Sequence, residues 1–269
     1  MTKYSVTDVA NILGLTSSAV RFYEKENLMT VNKDAQGHRY YDIGDVFLLL
    51  SYTKYRNMGL SLKTVVKQFS GVENDRKLII QRLEERKKAV EEEVVHLQLL
   101  AKAIDEHLNS AHRIDALLDR YEFDKCPSHF ILYDEEDGWI SKNRRAQKVA
   151  QRWVKAMPFT RLAVLLPDGA PQGAVFGYSI QPDMAEKLHL PKDLHVQKIE
   201  RSSCLHSIRA TNNDFPYNPG IVFQEPLAFA KKHGLTVSGP PWGHILLVET
   251  APALLRPYVE VWIPISLHP

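Results

Sequence analysis

The sequence predicts a multidomain α+β chain. A compact helical module closed by a β-hairpin comes first, then one long helix, then an α+β domain of two strand-helix-strand-strand halves. Three observations predict this. Short capped helices and a polar turn fill the first seventy residues, and a heptad seam free of Pro and Gly runs over 80–118. After Tyr121, short β-rich runs alternate with Pro and Gly. The expected boundaries are 1–72, 73–120 and 121–269.

In the first module Thr7 is placed to cap a helix over 8–13, and Gly14 permits a tight turn. Thr16 caps the next helix, 17–26, in which Ala19, Val20 and Tyr23 share one face while Ser17, Ser18, Arg21 and Lys25 stay outside. A helix N-terminus binds phosphate, its short hydroxyls donate to phosphate oxygens, and an arginine one turn later reaches guanine edges, so this helix has the residues for a DNA groove. Residues 30–38 form the next turn, a hairpin closed by Arg39-Tyr40-Tyr41, with Arg39 and Tyr40 available to the DNA backbone. Asp42 starts a helix from Ile43 to about Asn57 with Val46, Phe47, Leu49 and Leu50 as its apolar side. Met58-Gly59-Leu60 ends it, and Ser61 caps a further helix, 62–69, on which Lys63 adds a phosphate contact. The candidate DNA set is therefore Thr16, Ser17, Ser18, Arg21, Tyr23, Arg39, Tyr40 and Lys63.

Arg21-Phe22-Tyr23-Glu24, Asn27-Leu28, Gly37-His38-Arg39-Tyr40-Tyr41 and Met58-Gly59-Leu60-Ser61-Leu62 together resemble the MerR family of winged helix-turn-helix regulators over about the first seventy residues. Asn27 stands where that family usually has Gly, and Asn tolerates the left-handed turn. The resemblance implies double-stranded promoter DNA and RNA polymerase as partners, and activation through distortion of an overlong promoter spacer.

The seam over 80–118 has Leu83, Val90, Leu97, Ile104, Ala111 and Leu118 at d. Its a positions are Ile80, Lys87, Val94, Ala101, Leu108 and Asp115. A single helix with an exposed apolar seam needs a partner. Packing on its own C-terminal domain is one solution. A coiled coil between two subunits is the one the MerR resemblance implies, giving a homodimer that reads a palindrome.

Seven strand candidates follow: 130–133, 161–166, 174–181, 195–200, 203–210, 245–250 and 258–265. Helices are expected over 143–157 and 220–233. The order strand, helix, strand, strand occurs on both sides of about residue 194 and predicts two similar halves packed face to face. All four tryptophans, Trp139, Trp153, Trp242 and Trp262, fall here. In an extended run Tyr258, Glu260 and Trp262 share a face, as do Phe176 and Tyr178 on another strand. A carboxylate flanked by aromatic rings suits a delocalised cation. The candidate ligand set is Phe176, Tyr178, Trp242, Tyr258, Glu260 and Trp262, with Glu260 expected to titrate high or to await a positive partner.

The motifs Cys204-Leu205-His206-Ser207-Ile208-Arg209, Lys232-His233-Gly234-Leu235, Gly239-Pro240-Pro241 and Tyr258-Val259-Glu260-Val261-Trp262-Ile263-Pro264-Ile265 resemble the GyrI-like domain, a small-molecule-binding module. Joined to a MerR-type N-terminus, this looks like the multidrug-sensing branch, which implies lipophilic cations as ligands.

Composition excludes little else. Of 269 residues, 44% are hydrophobic and 25% charged, ordinary for a globular chain. The net charge is +2, and residues 1–70 lean basic, with 9 Lys/Arg against 6 Asp/Glu. No signal peptide and no apolar run of about eighteen residues are visible, so a cytoplasmic chain with no membrane partner is expected. Cys126 and Cys204 lie far apart, and no structural disulfide is expected. Cys126, just beyond the long helix with His129 nearby, is the basis of an alternative: a metal- or redox-sensing regulator. No Ser-His-Asp or HExxH constellation is present, and His206 and His244 fall singly on separate strands. Neither an enzyme nor a cofactor is expected.

Overall fold

The computed structural model describes all residues except 1, 27, 30, 62, 65–75, 134–143, 168–172, 193–195, 253 and 267–269. The expected positions Asn27, Trp139, His195 and most of the helix 62–69 lie outside the described residues. The chain divides into two units, Met1–Leu97 and Gln98–Pro269.

The first unit begins with α1, Val6–Leu13. Its cap is Ser5 rather than the expected Thr7: Ser5 and Asp8 form a reciprocal capping box, which satisfies two helix-end donors at once. Gly14 then takes φ +64°, a conformation that costs glycine nothing. Helix α2, Ser17–Lys25, is capped by Thr16, whose hydroxyl accepts the Ala19 N–H at 3.2 Å. A two-stranded hairpin follows, β1 Asn32–Lys33 and β2 Arg39–Tyr40, its turn held by Asp34 accepting the Gln36 and His38 N–H groups. Helix α3, Ile43–Asn57, starts at Asp42 as expected. Its buried side is Val46, Leu49 and Tyr52, so the apolar stripe is rotated from the expected one: Phe47 is 72% exposed and Leu50 is also exposed. Gly59 at φ +86° turns the chain out of α3, and the Ser61 hydroxyl accepts the Thr64 N–H at the expected cap. Val9, Leu13, Val20, Tyr23, Leu28, Tyr41, Leu49 and Tyr52 form one core.

Helix α4 spans Arg76–His112, roughly 56 Å at ~1.5 Å per residue. The unit boundary falls within it. The expected single helix to Leu118 is interrupted. A turn at Arg113 precedes the short α5, Ile114–Leu117, because Ile114 and Leu117 are buried against Ile208, Leu246 and Tyr258. Along α4 the seam residues Ile80, Val90, Val94, Leu97, Ile104 and Leu108 are all exposed.

The second unit is built on one antiparallel sheet. Its strands are β3 Glu122–Cys126, β4 His129–Tyr133, β5 Arg161–Leu165, β6 Val175–Ile180, β7 Val196–Ile199, β8 Ser202–Ala210, β9 Thr236–Val237, β10 Trp242–Ala251 and β11 Leu254–Ser266. The order is β3-β8-β11-β10-β5-β6-β4-β7, with β9 also paired to β11. This order is its own mirror image about the β10/β5 seam. Each half contributes strand, strand, helix, strand, strand: β3, β4, α6 (Arg144–Lys155), β5, β6 in the first, and β7, β8, α8 (Ile221–Lys232), β10, β11 in the second. A short helix, α7 Pro182–Lys187, lies between the halves in sequence. A repeat is present as expected from the sequence, but each half has one strand more than the expected strand, helix, strand, strand, and the halves join edge to edge in a continuous sheet and do not pack face to face. The first strand of each half pairs into the other half, β3 on β8 and β7 on β4.

The cross-strand register assigns side chains to faces, since directly opposed residues share one. One face bears Glu122, His206, Trp262, Glu260, Trp242, His244, Arg161, Ser179 and Ile131. The other bears Leu205, Val259, Val261, Val164 and Phe176, packed with Val222, Phe223 and Ala230 of α8. On that same face of the first half, Leu132 and Tyr178 pack with Trp153 of α6.

Candidate functional site

In the first unit α2 presents a polar outer side. Ser18 and Arg21 are exposed and Ser17 is half-buried, all close to the Thr16 cap. The motif Arg21-Phe22-Tyr23-Glu24 divides its labour. Tyr23 is buried, its hydroxyl 3.5 Å from Arg56, so it belongs to the core and is removed from the DNA-contacting set. Glu24 binds Arg39 at 2.9 Å and also accepts from the buried Tyr41 hydroxyl, which ties the hairpin to α2. Arg39 remains exposed beyond that ion pair, Lys3 sits over the Tyr40 ring at 4.4 Å, and Lys63 is exposed.

In the second unit a cavity of about 430 Å³ lies over the polar face of the sheet. Leu99, Lys102, Ala103 and Glu106 of α4 form one wall; Arg161, His129, His244, Glu260 and Trp262 lie opposite. The sequence sends polar residues here because alternate positions of β3, β8, β10 and β11 carry Glu122, His206, His244 and Glu260.

These residues form a connected network. Glu260, buried on β11, holds His206 Nε2 at 3.0 Å with one carboxylate oxygen and His244 Nε2 at 2.9 Å with the other. His206 Nδ1 lies 2.8 Å from Glu122, which also binds Arg113. The His206 ring stacks on Trp262 with centroids 3.7 Å apart and planes 7° apart. His244 Nε2 is also 3.0 Å from Arg161 Nη1. An arginine only donates, so Nε2 either donates to Glu260 or accepts from Arg161, not both. Burial pushes the Glu260 carboxyl up, but hydrogen bonds from the two histidines outweigh it and hold the carboxyl well below the usual range. The expectation that Glu260 titrates high is thereby corrected; its partners are the internal histidines His206 and His244. His129 is pushed down to about 3, by burial first and then by His244, so it is a neutral imidazole. Its Nδ1 lies 3.3 Å from the Pro127 carbonyl, and its ring centroid is 4.8 Å from that of Trp242.

Cys126 and Cys204 are both buried on adjacent strands, each within reach of the Ser202 hydroxyl, at 3.4 and 3.6 Å. Pairing of β3 with β8 thus gives Cys126 a neighbouring thiol that 77 intervening positions concealed. The hydrogen bond with Cys204 favours the Cys126 thiolate and disfavours that of Cys204. Among the described residues no group of three Cys, His, Asp or Glu side chains includes Cys126.

The family model described as "MerR HTH family regulatory protein" matches residues 4–71. Residues 4–71 are a MerR-family helix-turn-helix. That family is one of transcription regulators, not of enzymes. No curated protein matches the chain. Among solved structures, a MerR-family transcriptional regulator from Bacillus cereus is similar at 18% identity, covering 42% of this chain and 84% of that one, with a TM-score of 0.36. The EcmrR–DNA complex in EcmrR-RPo is similar at 14% identity over 98% of this chain and 99% of that one, with a TM-score of 0.36. A protein solved bound to tetraphenylphosphonium is similar at 12% identity over 55% and 94%, with a TM-score of 0.31. At these scores the family rests on the MerR module alone.

Of the expected ligand residues, Glu260 and Trp262 line the cavity, and Trp242 lies beside Trp262 with ring centroids 6.5 Å apart. Tyr258 shares their face but packs with Ile114 and Leu117 and donates its hydroxyl to Glu249 at 3.0 Å. Phe176 and Tyr178 are corrected: they point to the helix-covered face, Phe176 against Phe215 and Tyr178 into the cluster with Trp153. The α4 wall and the residues His206, His244, Arg161 and His129 were absent from the sequence-derived set. The signal for His244 was the antiparallel pairing that opposes it to Glu260, readable once β10 and β11 are aligned.

Proposed function

We propose that the chain is a ligand-responsive transcription activator that binds palindromic promoter DNA as a homodimer and senses lipophilic cations in the cavity beside Glu260. The observation that carries the sensing is a buried carboxylate next to the Trp262 ring at a cavity of about 430 Å³, a volume in the range of small-molecule sites. Trp262 Nε1 and His244 Nδ1 are buried with no hydrogen-bond partner among the described residues, and a ligand that also carries an acceptor would satisfy the indole N–H.

DNA contact falls to Thr16, Ser17, Ser18 and Arg21 on α2, to Arg39 and Tyr40 on the hairpin, and to Lys63. Arg21 reads a base edge; the others position the backbone. The exposed seam Ile80, Val90, Val94, Leu97, Ile104 and Leu108 supports the dimer, because an apolar stripe of that length in water favours association. In the unit Gln98–Pro269, Leu99, Ala103 and Glu106 face the cavity while Ile104 and Leu108 point away, so one helix serves both surfaces. Ligand binding biases the dimer toward the state that kinks and undertwists an overlong promoter spacer for RNA polymerase, with the energy drawn from differential affinity for the two states.

Calorimetric titration of tetraphenylphosphonium into the full chain and into Glu260→Gln tests the sensing. Micromolar binding, at least tenfold weaker in the variant, is expected. Absence of binding to a folded wild type sinks the cation reading and turns attention to the Cys126/Cys204 pair as a redox alternative.

A further inference from the structure

The cavity's carboxylate already has a cation. His206 presents both ring nitrogens to carboxylate oxygens, Nδ1 to Glu122 at 2.8 Å and Nε2 to Glu260 at 3.0 Å. Both contacts can be hydrogen bonds to ionised carboxylates only if both ring nitrogens carry hydrogen, which makes the ring an imidazolium. That ring lies flat on Trp262. His206 therefore holds the two features that a lipophilic cation needs, the Glu260 charge and an aromatic face.

The charges along the chain Arg113, Glu122, His206 and Glu260 alternate and cancel. Groups on every flanking element bear on this balance. Asp124 on β3 is exposed beside Glu122. His244 on β10 shares Glu260, and Arg161 on β5 sits between His244 and Glu106 of α4. His107 on α4 and His129 on β4 both feel the His244 and Arg161 charges. A permanent cation entering the cavity adds one positive charge beside a buried, already neutral pair, His206 and Glu260. In such surroundings an uncompensated charge is costly, and the group that can discharge itself does so.

We infer that His206 is a specificity-determining residue of the cavity: an internal cation that gives up a proton when a ligand cation takes over the Glu260 charge. This rests on the cation reading above. Binding of a permanent cation is then linked to release of one proton, and affinity strengthens up to tenfold for each unit of pH wherever a full proton is released. Neutral ligands exchange no proton, so the cavity distinguishes the two classes by pH.

The test is calorimetry of tetraphenylphosphonium chloride with the full chain at pH 6.5, in phosphate and in ACES, whose ionisation enthalpies differ. The observed enthalpy should shift between buffers by the difference for about one proton released, and Kd should be lower at pH 8 than at pH 6. His206→Gln, checked for folding by tryptophan fluorescence, should bind at pH 6 at least as tightly as wild type does at pH 8, with no buffer dependence. Tight binding by wild type with buffer-independent enthalpy overturns the inference and leaves the cation reading standing. A buffer dependence that survives in a folded His206→Gln also overturns it. No binding by wild type at any pH from 6 to 8.5 overturns the cation reading and this inference together.

Discussion

His129 offers a stability test that needs no ligand. It is buried, and its pKa is pushed from an ordinary 6.5 to about 3, chiefly by burial. The unfolded chain therefore takes up a proton that the folded one refuses. Stability is full above pH 6.5 and falls as pH drops toward 3. With ~1.36 kcal/mol per pKa unit, the loss at pH 5 relative to pH 8 is about 2 kcal/mol. Carboxylates held low, Glu260 above all, begin to matter only below their ordinary range near 4.5, outside this window. The variant is His129→Asn, whose amide can still donate to the Pro127 carbonyl but does not titrate. Urea unfolding at pH 8 and pH 5, followed by tryptophan fluorescence, reports the second unit because all four tryptophans lie at or beyond residue 139. Asn costs some packing against Trp242 at both pH values, so the comparison is the difference between them. Wild type should lose about 2 kcal/mol more than the variant on acidification. An equal loss in both would refute the assignment of acid sensitivity to His129.

Other outcomes follow from the same geometry. Arg21→Ala should abolish operator binding in a gel-shift assay while leaving tetraphenylphosphonium binding intact; loss of both would point to misfolding. Thr16→Ala removes the hydroxyl that caps α2 and should cost about 1 kcal/mol in thermal unfolding of the first unit. Trp153→Ala empties a fully buried site on the helix-covered face and should cost roughly 3–5 kcal/mol. In Gly243→Ala the new Cβ would meet the Glu260 backbone oxygen at 2.2 Å, so β10 and β11 must part there. Weaker ligand binding and lower stability are expected together, and an unchanged Kd would argue that the carboxylate is not set by that pairing.

The sequence was most legible where chemistry is local. Thr16, Asp42 and Gly14 end or start helices through their own side chains or φ, and the structure uses each of them so. It was misleading where two local answers compete: Ser5 wins over Thr7 because Asp8 stands three residues later to complete the reciprocal cap. The strand repeat was visible, but its packing was not, since strand exchange between halves is a matter of partners 64 to 84 residues apart. The same distance hid the site. Period-two alternation placed Glu260 and Trp262 on one face correctly, whereas Phe176 needed the register of β6 against β5 to show that it faces the helices. His206 looked solitary because neither Glu122 nor Glu260 is near it in sequence.

The exchange of first strands between the two halves makes the second unit an interlocked pair. Neither half has a complete set of strand partners without the other. The edge strand β3 leans on β8, and β7 on β4. A peptide bond cut in the connection between β6 and β7 would yield two fragments that each keep a strand inside the other's part of the sheet, so they should remain associated and reassemble after denaturation. Neither fragment alone holds the His206 network, because Glu122 comes from one and His206, His244 and Glu260 from the other. The second unit is thus assembled only when both ends of its sequence have met, and the entropy of closing that long loop favours slow folding.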